Sequence, residues 1–294
     1  MNSRKFSLVP YLFTAPALTV FALMVLLPLA MTVVYSFMDW KGYGAMTPVG
    51  LDNYARALAD PIYLKSYRNV AVYIALTIVL EVAVGLAMAG LISARLRGAA
   101  YYRTAFFTPV MLPMVVVGYL WIFVYNPEFG LVNSLLRLAG LEAWTRVWLG
   151  DPKTALIAIS IVSGWVFAGF YMTIFYMAIQ RIPREIYETA YVDGVGEFRL
   201  FWKIKVPLIR GMIGVSLLLC IMGAFQGFDL FYIMTNGGPY HATEIVTTYL
   251  VKVVFQHMNV GYGAALAVIL TLIVIVIGVL FSLLRRKERN ELEY

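Results

Sequence analysis

Few side chains in this 294-residue chain could do chemistry, and two of those that could are acids set in apolar surroundings. Glu81 is the only charge between Val70 and Ala94, and Asp229 interrupts an apolar run that goes on to about Met234. An ionisable group in such a run is costly unless it is paired, wetted or neutral. Glu81, alone in its run, fits a carboxyl bonded to a neighbouring helix better than a proton relay, which needs a chain of partners. Asp229 has company. The stretch GAFQGFDLFY brings Gln226, Phe225, Phe228 and Tyr232 beside it, with Gly223 and Gly227 leaving room. An amide, a carboxylate and aromatic faces are the groups that hold a polar solute by hydrogen bonds and C–H contacts. Other chemistry finds no support. The single cysteine, Cys220, cannot form a disulfide within the chain, and the two histidines, His241 and His257, share one loop without metal-ligand spacing. There is no glycine-rich phosphate loop ending in Lys-Ser or Lys-Thr and no Ser/His/Asp set. Neither a metal nor a cofactor held by this chain is expected, and neither is catalysis by it.

The elements that position these residues must lie in lipid. Hydrophobic residues make up 62% of the chain and charged ones 13%, too much apolar surface for a soluble core of this length. A bilayer needs about 20 apolar helical residues per crossing. Uncharged or nearly uncharged runs predict six helical spans, at about 10–37, 70–93, 104–125, 155–180, 211–234 and 262–284, in one transmembrane domain over residues 1–294. The fold class is all-α and polytopic. No alternating segments of the barrel type occur. The first apolar run is longer than a signal-peptide core and reads as a retained anchor. Pro28, Pro109 and Pro113 predict kinks, and Gly85 with Ala89 has the spacing that lets membrane helices approach closely. The net charge of +7 is unevenly distributed. Fifteen Lys and Arg fall in the two tails and in segments 95–103 and 181–210, against eight in the other loops. That asymmetry places both termini in the cytoplasm and reports orientation, so no nucleic-acid partner is expected.

One loop is dense in charge: IPREIYETAYVDGVGEFRLFWKIKVPL, residues 182–208. Pro183 suits a helix start and Gly194 the left-handed position that ends one, so a short helix is predicted over Arg184–Asp193. Ile186, Tyr187, Ala190 and Tyr191 form its apolar face, while Glu185 and Glu188 lie near its N-terminal end, where the helix dipole favours acids. A second amphipathic piece sets Phe198, Phe201, Trp202 and Ile204 against Arg199, Lys203 and Lys205. The loop could lie on lipid headgroups. Its acids, Glu185, Glu188, Asp193 and Glu197, count against an anionic leaflet and for docking in a groove on a protein.

The segment YETAYVDGVGEFRLFWKIKVPL resembles the Glu-Ala-Ala…Gly loop of ABC importer permeases, with Ile204 and Pro207 in the later Ile-x-x-Pro. Glu188, Ala190, Asp193 and Gly194 match; Thr189 replaces the usual middle alanine. FDLFYIMTNGGP (228–239), GLDNYARAL (50–58), WIFVYNPEFGLVN (121–133) and GYGAALAV (261–268) extend the likeness to the carbohydrate-uptake group of maltose, glycerol-phosphate and multiple-sugar type. The resemblance implies the type I importer permease fold in a bacterial or archaeal inner membrane, with a sugar or related polyol or sugar phosphate as substrate. It implies three partners: a cytosolic ABC ATPase dimer that binds the ATP, a second related permease, and an extracytoplasmic solute-binding protein received by loops 39–69, 126–153 and 235–259. Residues 184–194 would be the coupling helix, with Glu185, Tyr187, Glu188, Ala190, Asp193 and Gly194 as its ATPase-coupling set. The substrate path would take Val166, Phe167 and Phe170 from the fourth span and Ala224, Phe225, Gln226, Gly227, Phe228, Asp229 and Tyr232 from the fifth. Relatives carry asparagines where this chain has Ala224, Gln226 and Gly227. The competing reading is an ion-coupled secondary transporter for a small polar solute, using Glu81 and Asp229; it leaves the docking loop unexplained.

Overall fold

A computed structural model describes residues 9–94 and 98–290, with side chains over 12–94 and 98–283. Arg4, Lys5, Arg95 and Arg97 of the charge argument lie outside the described residues, and so do the side chains of Arg285, Arg286, Lys287 and Arg289. In chain order the helices are α1 (Leu12–Ser36), α2 (Asp52–Ala59), α3 (Pro61–Ser93), α4 (Ala99–Met111), α5 (Met114–Val124) and α6 (Leu131–Leu138). They continue with α7 (Ala155–Gln180), α8 (Arg184–Val192), α9 (Glu197–Leu208), α10 (Arg210–Gln226), α11 (Asp229–Met234), α12 (Val246–Gln256) and α13 (Val260–Asn290). Four of them, α1, α3, α7 and the first part of α13, are long and apolar enough to cross a membrane. Two bent pairs, α4–α5 at 99° and α9–α10 at 73°, bring the crossings to six if each pair is one span.

The prolines act unequally. The α4–α5 bend falls at Leu112–Pro113, where a proline removes a donor and crowds the turn before it. Pro28 does not interrupt α1. A wide π-type turn, Ala22–Leu26, directly precedes it and the helix runs on. The second span begins earlier than its apolar run, at Pro61, because Lys65 and Arg68 are carried within the first turns of a 33-residue helix.

The chain divides into two compact units. The first joins residues up to Asp60 with Leu250–Ile275. Here the GLDNYARAL motif has a structural reason. Asn53, on α2, donates to the carbonyls of Ser36 (3.0 Å) and Met38 (2.9 Å), capping the end of α1 and the two-residue strand Met38–Asp39 that pairs with Thr47–Pro48. The Tyr262 hydroxyl donates to Asp60 at 2.8 Å, and the Arg56 guanidinium lies 4.2 Å over the Tyr262 ring. The apolar window of α1 has no residue buried within the chain.

The second unit holds Pro61–Tyr249 and Val276–Tyr294. Its core packs α3, α7, α9 and α10 through Val82, Ala89, Ile92, Tyr171, Met172, Phe175, Phe201 and Cys220. Small residues set the helix separations. Gly85 lies against the α7 backbone at Ala168 and Met172, Gly164 against Leu80, and a β-carbon at Gly169 would overlap the Phe106 carbonyl.

Candidate functional site

Two regions carry the candidate residues. The first is a cavity of about 370 Å³ in the second unit, inside the ~300–1,000 Å³ range of small-molecule sites. It exists because the fifth apolar run is not one helix. α10 ends at Gln226; Gly227 (φ −54, ψ 132) and Phe228 (φ −145, ψ −56) leave helical geometry, and α11 starts at Asp229. Non-helical backbone at membrane depth is tolerated where it lines a cavity or is buried in protein. The break is held from outside by Thr247, whose hydroxyl donates to the Gly227 carbonyl.

Of the substrate-path residues named from the sequence, Phe167, Phe170, Ala224, Gln226, Gly227, Phe228 and Asp229 line this cavity. Val166, Phe225 and Tyr232 do not. Val166 is wholly buried beside the lining arc of α7, Phe225 is packed in the protein, and Tyr232 stacks on Phe228 at 5.0 Å. Gln226 and Asp229 are exposed and make no hydrogen bond among the described residues. An unpaired acid in a membrane segment needs water or a partner outside the chain, so this rim faces a path or an interface.

The other wall was missed by sequence reasoning. Tyr73, Thr77 and Glu81 of α3, Ser163 of α7 and Cys220 of α10 line the same cavity. The Tyr73 hydroxyl donates to Ser163 Oγ at 2.8 Å, and Ser163 donates to Glu81 Oε1 at 2.7 Å. Glu81 is thus bonded to a neighbouring helix, as expected of it, and also belongs to the cavity. It sits in a π-type turn, Ile78–Ala83, a distortion frequent at functional positions. The available signal was small polar residues, Thr77 and Ser163, inside apolar spans.

Substituting Gln226→Ala together with Asp229→Asn should leave the yield of the chain unchanged, because neither side chain bonds within it. If the cavity lies on the substrate path, transport should fall roughly tenfold, the loss of two hydrogen bonds of about 1 kcal/mol each less some compensation. Uptake kinetics with KM and rate both unaltered would remove this cavity from the path.

The second region is α8. The helix forms over Arg184–Val192, with Pro183 at the N-cap (φ −55, ψ 141), one position earlier than the first-turn place at which a missing N–H is free of cost. Its C-terminus is a Schellman motif. Gly194 has φ +70; its N–H donates to the Tyr191 carbonyl at 3.1 Å, and the Val195 N–H donates to the Ala190 carbonyl at 3.0 Å. Three of the four residues of the apolar face turn inward, Ala190 buried and Ile186 and Tyr187 half-buried, whereas Tyr191 is exposed and bonds through its hydroxyl to Glu197. The Tyr187 hydroxyl donates to the Ile179 carbonyl at the end of α7 (3.1 Å). Burial, with Tyr191 and Glu197 near, holds that hydroxyl above its usual pKa, so it stays a donor. Glu185, Glu188, Thr189 and Asp193 point to solvent. Four exposed polar groups on a capped, anchored helix can receive a partner without refolding.

The second amphipathic piece departs from its expected phase. Phe201 is buried, but Phe198 and Trp202 are exposed, and Lys205, placed on the polar face by spacing, is only 3% exposed. A π-type turn over Phe201–Lys205 widens the helix by one residue and turns Lys205 inward.

The loop after α11 is knit around an acid that the sequence did not single out. Glu244 is fully buried, with Thr248 donating to Oε1 (2.6 Å) and His241 Nδ1 2.9 Å from Oε2. Asn69 of α3 donates to the carbonyls of His241 and Glu244. A β-carbon at Gly237 (φ +77) would sit 2.5 Å from the Glu244 carboxylate, so the Gly237-Gly238-Pro239 turn needs its first glycine. The turn wraps a buried carboxylate.

The family described as "Binding-protein-dependent transport system inner membrane component" matches residues 81–290. The chain is 37% identical over 283 residues to the probable ABC transporter permease protein YurN of Bacillus subtilis (strain 168), covering 95% of this chain and 96% of that one. It is 34% identical over 286 residues to the diacetylchitobiose uptake system permease protein NgcF of Streptomyces coelicolor, covering 93% and 81%. A chain in the crystal structure of a bacterial ABC transporter involved in the import of alginate has the same fold, with a TM-score of 0.84, 20% identity and 95% of each chain covered. The family match over residues 81–290 and these relatives lead to one conclusion: this chain belongs to the inner-membrane components of binding-protein-dependent transport systems.

Proposed function

We propose that this chain is one permease of an ATP-driven importer for a sugar or sugar derivative, delivered by an extracytoplasmic binding protein. It works beside a second, related permease and above a dimer of cytosolic ABC ATPases, which bind and hydrolyse the ATP. The observation that carries this is α8. It is capped at Gly194, anchored on its apolar face and presents Glu185, Glu188 and Asp193 outward. A rigid knob of that kind converts closure of an ATPase dimer into movement of the spans behind it. Glu188 is the residue assigned to a basic group on the ATPase. The cavity supports a saccharide as cargo, since Gln226 and Asp229 offer hydrogen bonds and Phe167, Phe170 and Phe228 offer ring faces. The relative NgcF is named for a disaccharide derivative. The bare apolar surface of α1 supports a second permease as neighbour, and the charge asymmetry supports cytoplasmic termini with α8 on the same side.

The test is isolation of the chain from its native membrane in mild detergent, with mass spectrometry of what is retained, for the wild type and Glu188→Ala. Glu188 is exposed, so its loss should not unfold the chain. The wild type should retain an ATPase and a second six-span permease. The variant should retain the permease and bind the ATPase about 10- to 100-fold more weakly, the value of a charged hydrogen bond. Recovery of the wild-type chain alone, across several detergents, would overturn the reading and return attention to ion coupling at Glu81 and Asp229.

A further inference from the structure

The geometry points to Lys205 as a positioning residue that ties the coupling helix to the inner ends of two spans, so that movement of the helix becomes movement of the spans. The inference rests on reading α8 as the coupling helix. Lys205 lies at the meeting point of three segments. Its ammonium donates to Ser93 Oγ, at the end of α3, at 3.3 Å. It stands 3.6 Å from Glu197 Oε2 at the start of α9 and 5.6 Å from the centre of the Tyr187 ring on α8. The links continue outward from each partner. Glu197 Oε1 accepts from the Tyr191 hydroxyl of α8 at 2.6 Å, Ser93 donates to the Gly90 carbonyl at 2.9 Å, and Tyr187 donates to the Ile179 carbonyl of α7. One turn before Lys205, the Phe201 ring is pressed on Gly90, where a β-carbon would come within 2.6 Å of it. The π-type turn Phe201–Lys205 therefore plants two side chains on residues 90–93 of α3, while α8 holds the other ends of the network.

Burial of this lysine is hard to explain by stability. Taking an ammonium out of water costs about as much as a single, half-exposed carboxylate returns, so an apolar side chain of similar length would serve the fold as well. What only the charged group supplies is a directional link to Ser93, Glu197 and the Tyr187 face at once. Removing it leaves α8 capped by Gly194 and joined to α7 through Tyr187 but without the ammonium's link to Ser93 of α3.

The experiment uses the assembled transporter in nanodiscs, with MgATP and vanadate as the probe. The readout is the rate at which a water-soluble maleimide labels Cys220 of this chain, measured by mass spectrometry. Cys220 lines the cavity formed with α3, so its access reports the movement of that span. In the wild type, trapping should change the rate by roughly fivefold or more, the low end of energetic coupling between sites. Lys205→Met should keep complex yield and ATP hydrolysis but lose that response, and Lys205→Arg should restore most of it. Glu197→Gln, at a half-exposed position, should weaken it. A Lys205→Met complex that responds like the wild type overturns the inference and leaves the importer reading intact. If Lys205→Met fails to assemble, Glu197→Gln decides: a full response there makes Lys205 a structural residue only. A wild-type complex in which trapping leaves Cys220 unaffected overturns the conversion of ATPase closure into span movement, and the tie with it.

Discussion

Replacing Gly194 by proline should abolish uptake while leaving the membrane spans folded. Proline fixes φ near −65°, whereas Gly194 holds +70°, and it also removes the N–H that donates to the Tyr191 carbonyl. The Val195-to-Ala190 hydrogen bond closes over the same turn and goes with it. A lost capping motif and a forbidden backbone angle together cost about 2–3 kcal/mol, or roughly a 30- to 150-fold smaller population of correctly ended helix. The end affected is the one that carries Asp193, next to Tyr191 of the Lys205 network. Gly194→Asn is the control, since asparagine tolerates the left-handed region and should retain most activity. Uptake assays beside co-purification of the ATPase separate the outcomes. Normal uptake in the proline variant would remove α8 from the coupling path.

Gly169→Ala should be among the most damaging single changes to the fold. The added methyl would enter the Phe106 carbonyl, which is backbone and cannot swing aside, so α4 and α7 must separate. Overpacking of this kind costs about 1–3 kcal/mol and occasionally more. Gly164→Ala meets the Leu80 β-carbon instead, at 2.7 Å, and should be milder because the overlap is smaller, although that atom moves only with its backbone. The measurement is thermal unfolding in one detergent for the three proteins, with the expected order wild type, Gly164→Ala, Gly169→Ala. A melting curve for Gly169→Ala that overlays the wild type would mean that these helices are not locked by the contact.

What could be read in advance followed from local chemistry. α8 was legible because proline, a four-residue apolar spacing and glycine each constrain the backbone within one or two turns. Membrane crossings were legible because run length is a one-dimensional property. The side of a crossing that faces a cavity was not. α7 is apolar nearly all round, so little in its pattern sets its phase, and Val166 was grouped with Phe167 and Phe170 although it is packed within the protein beside them and does not line the cavity. Lys205 was placed outward for a related reason: alternation assumes 3.6 residues per turn, and the π-type turn breaks that count. The break at Gly227–Phe228 was hidden because two glycines and aromatic residues read equally well as a helix with space around it. Glu81, Ser163 and Tyr73 come together across 82 and 90 residues of sequence, which no window can see.

The rim of the cavity has a consequence for how such a chain changes over generations. Gln226 and Asp229 bond to nothing within the chain among the described residues, so replacing them should cost the fold within about 0.5 kcal/mol. The wall opposite is different, because Glu81, Ser163 and Tyr73 hold helices together while lining the same space. If the cavity lies on the substrate path, a new cargo can be reached through a few substitutions on one side, each nearly neutral for folding, while the other side stays fixed. The architecture separates the freedom to drift in preference from the obligation to remain assembled.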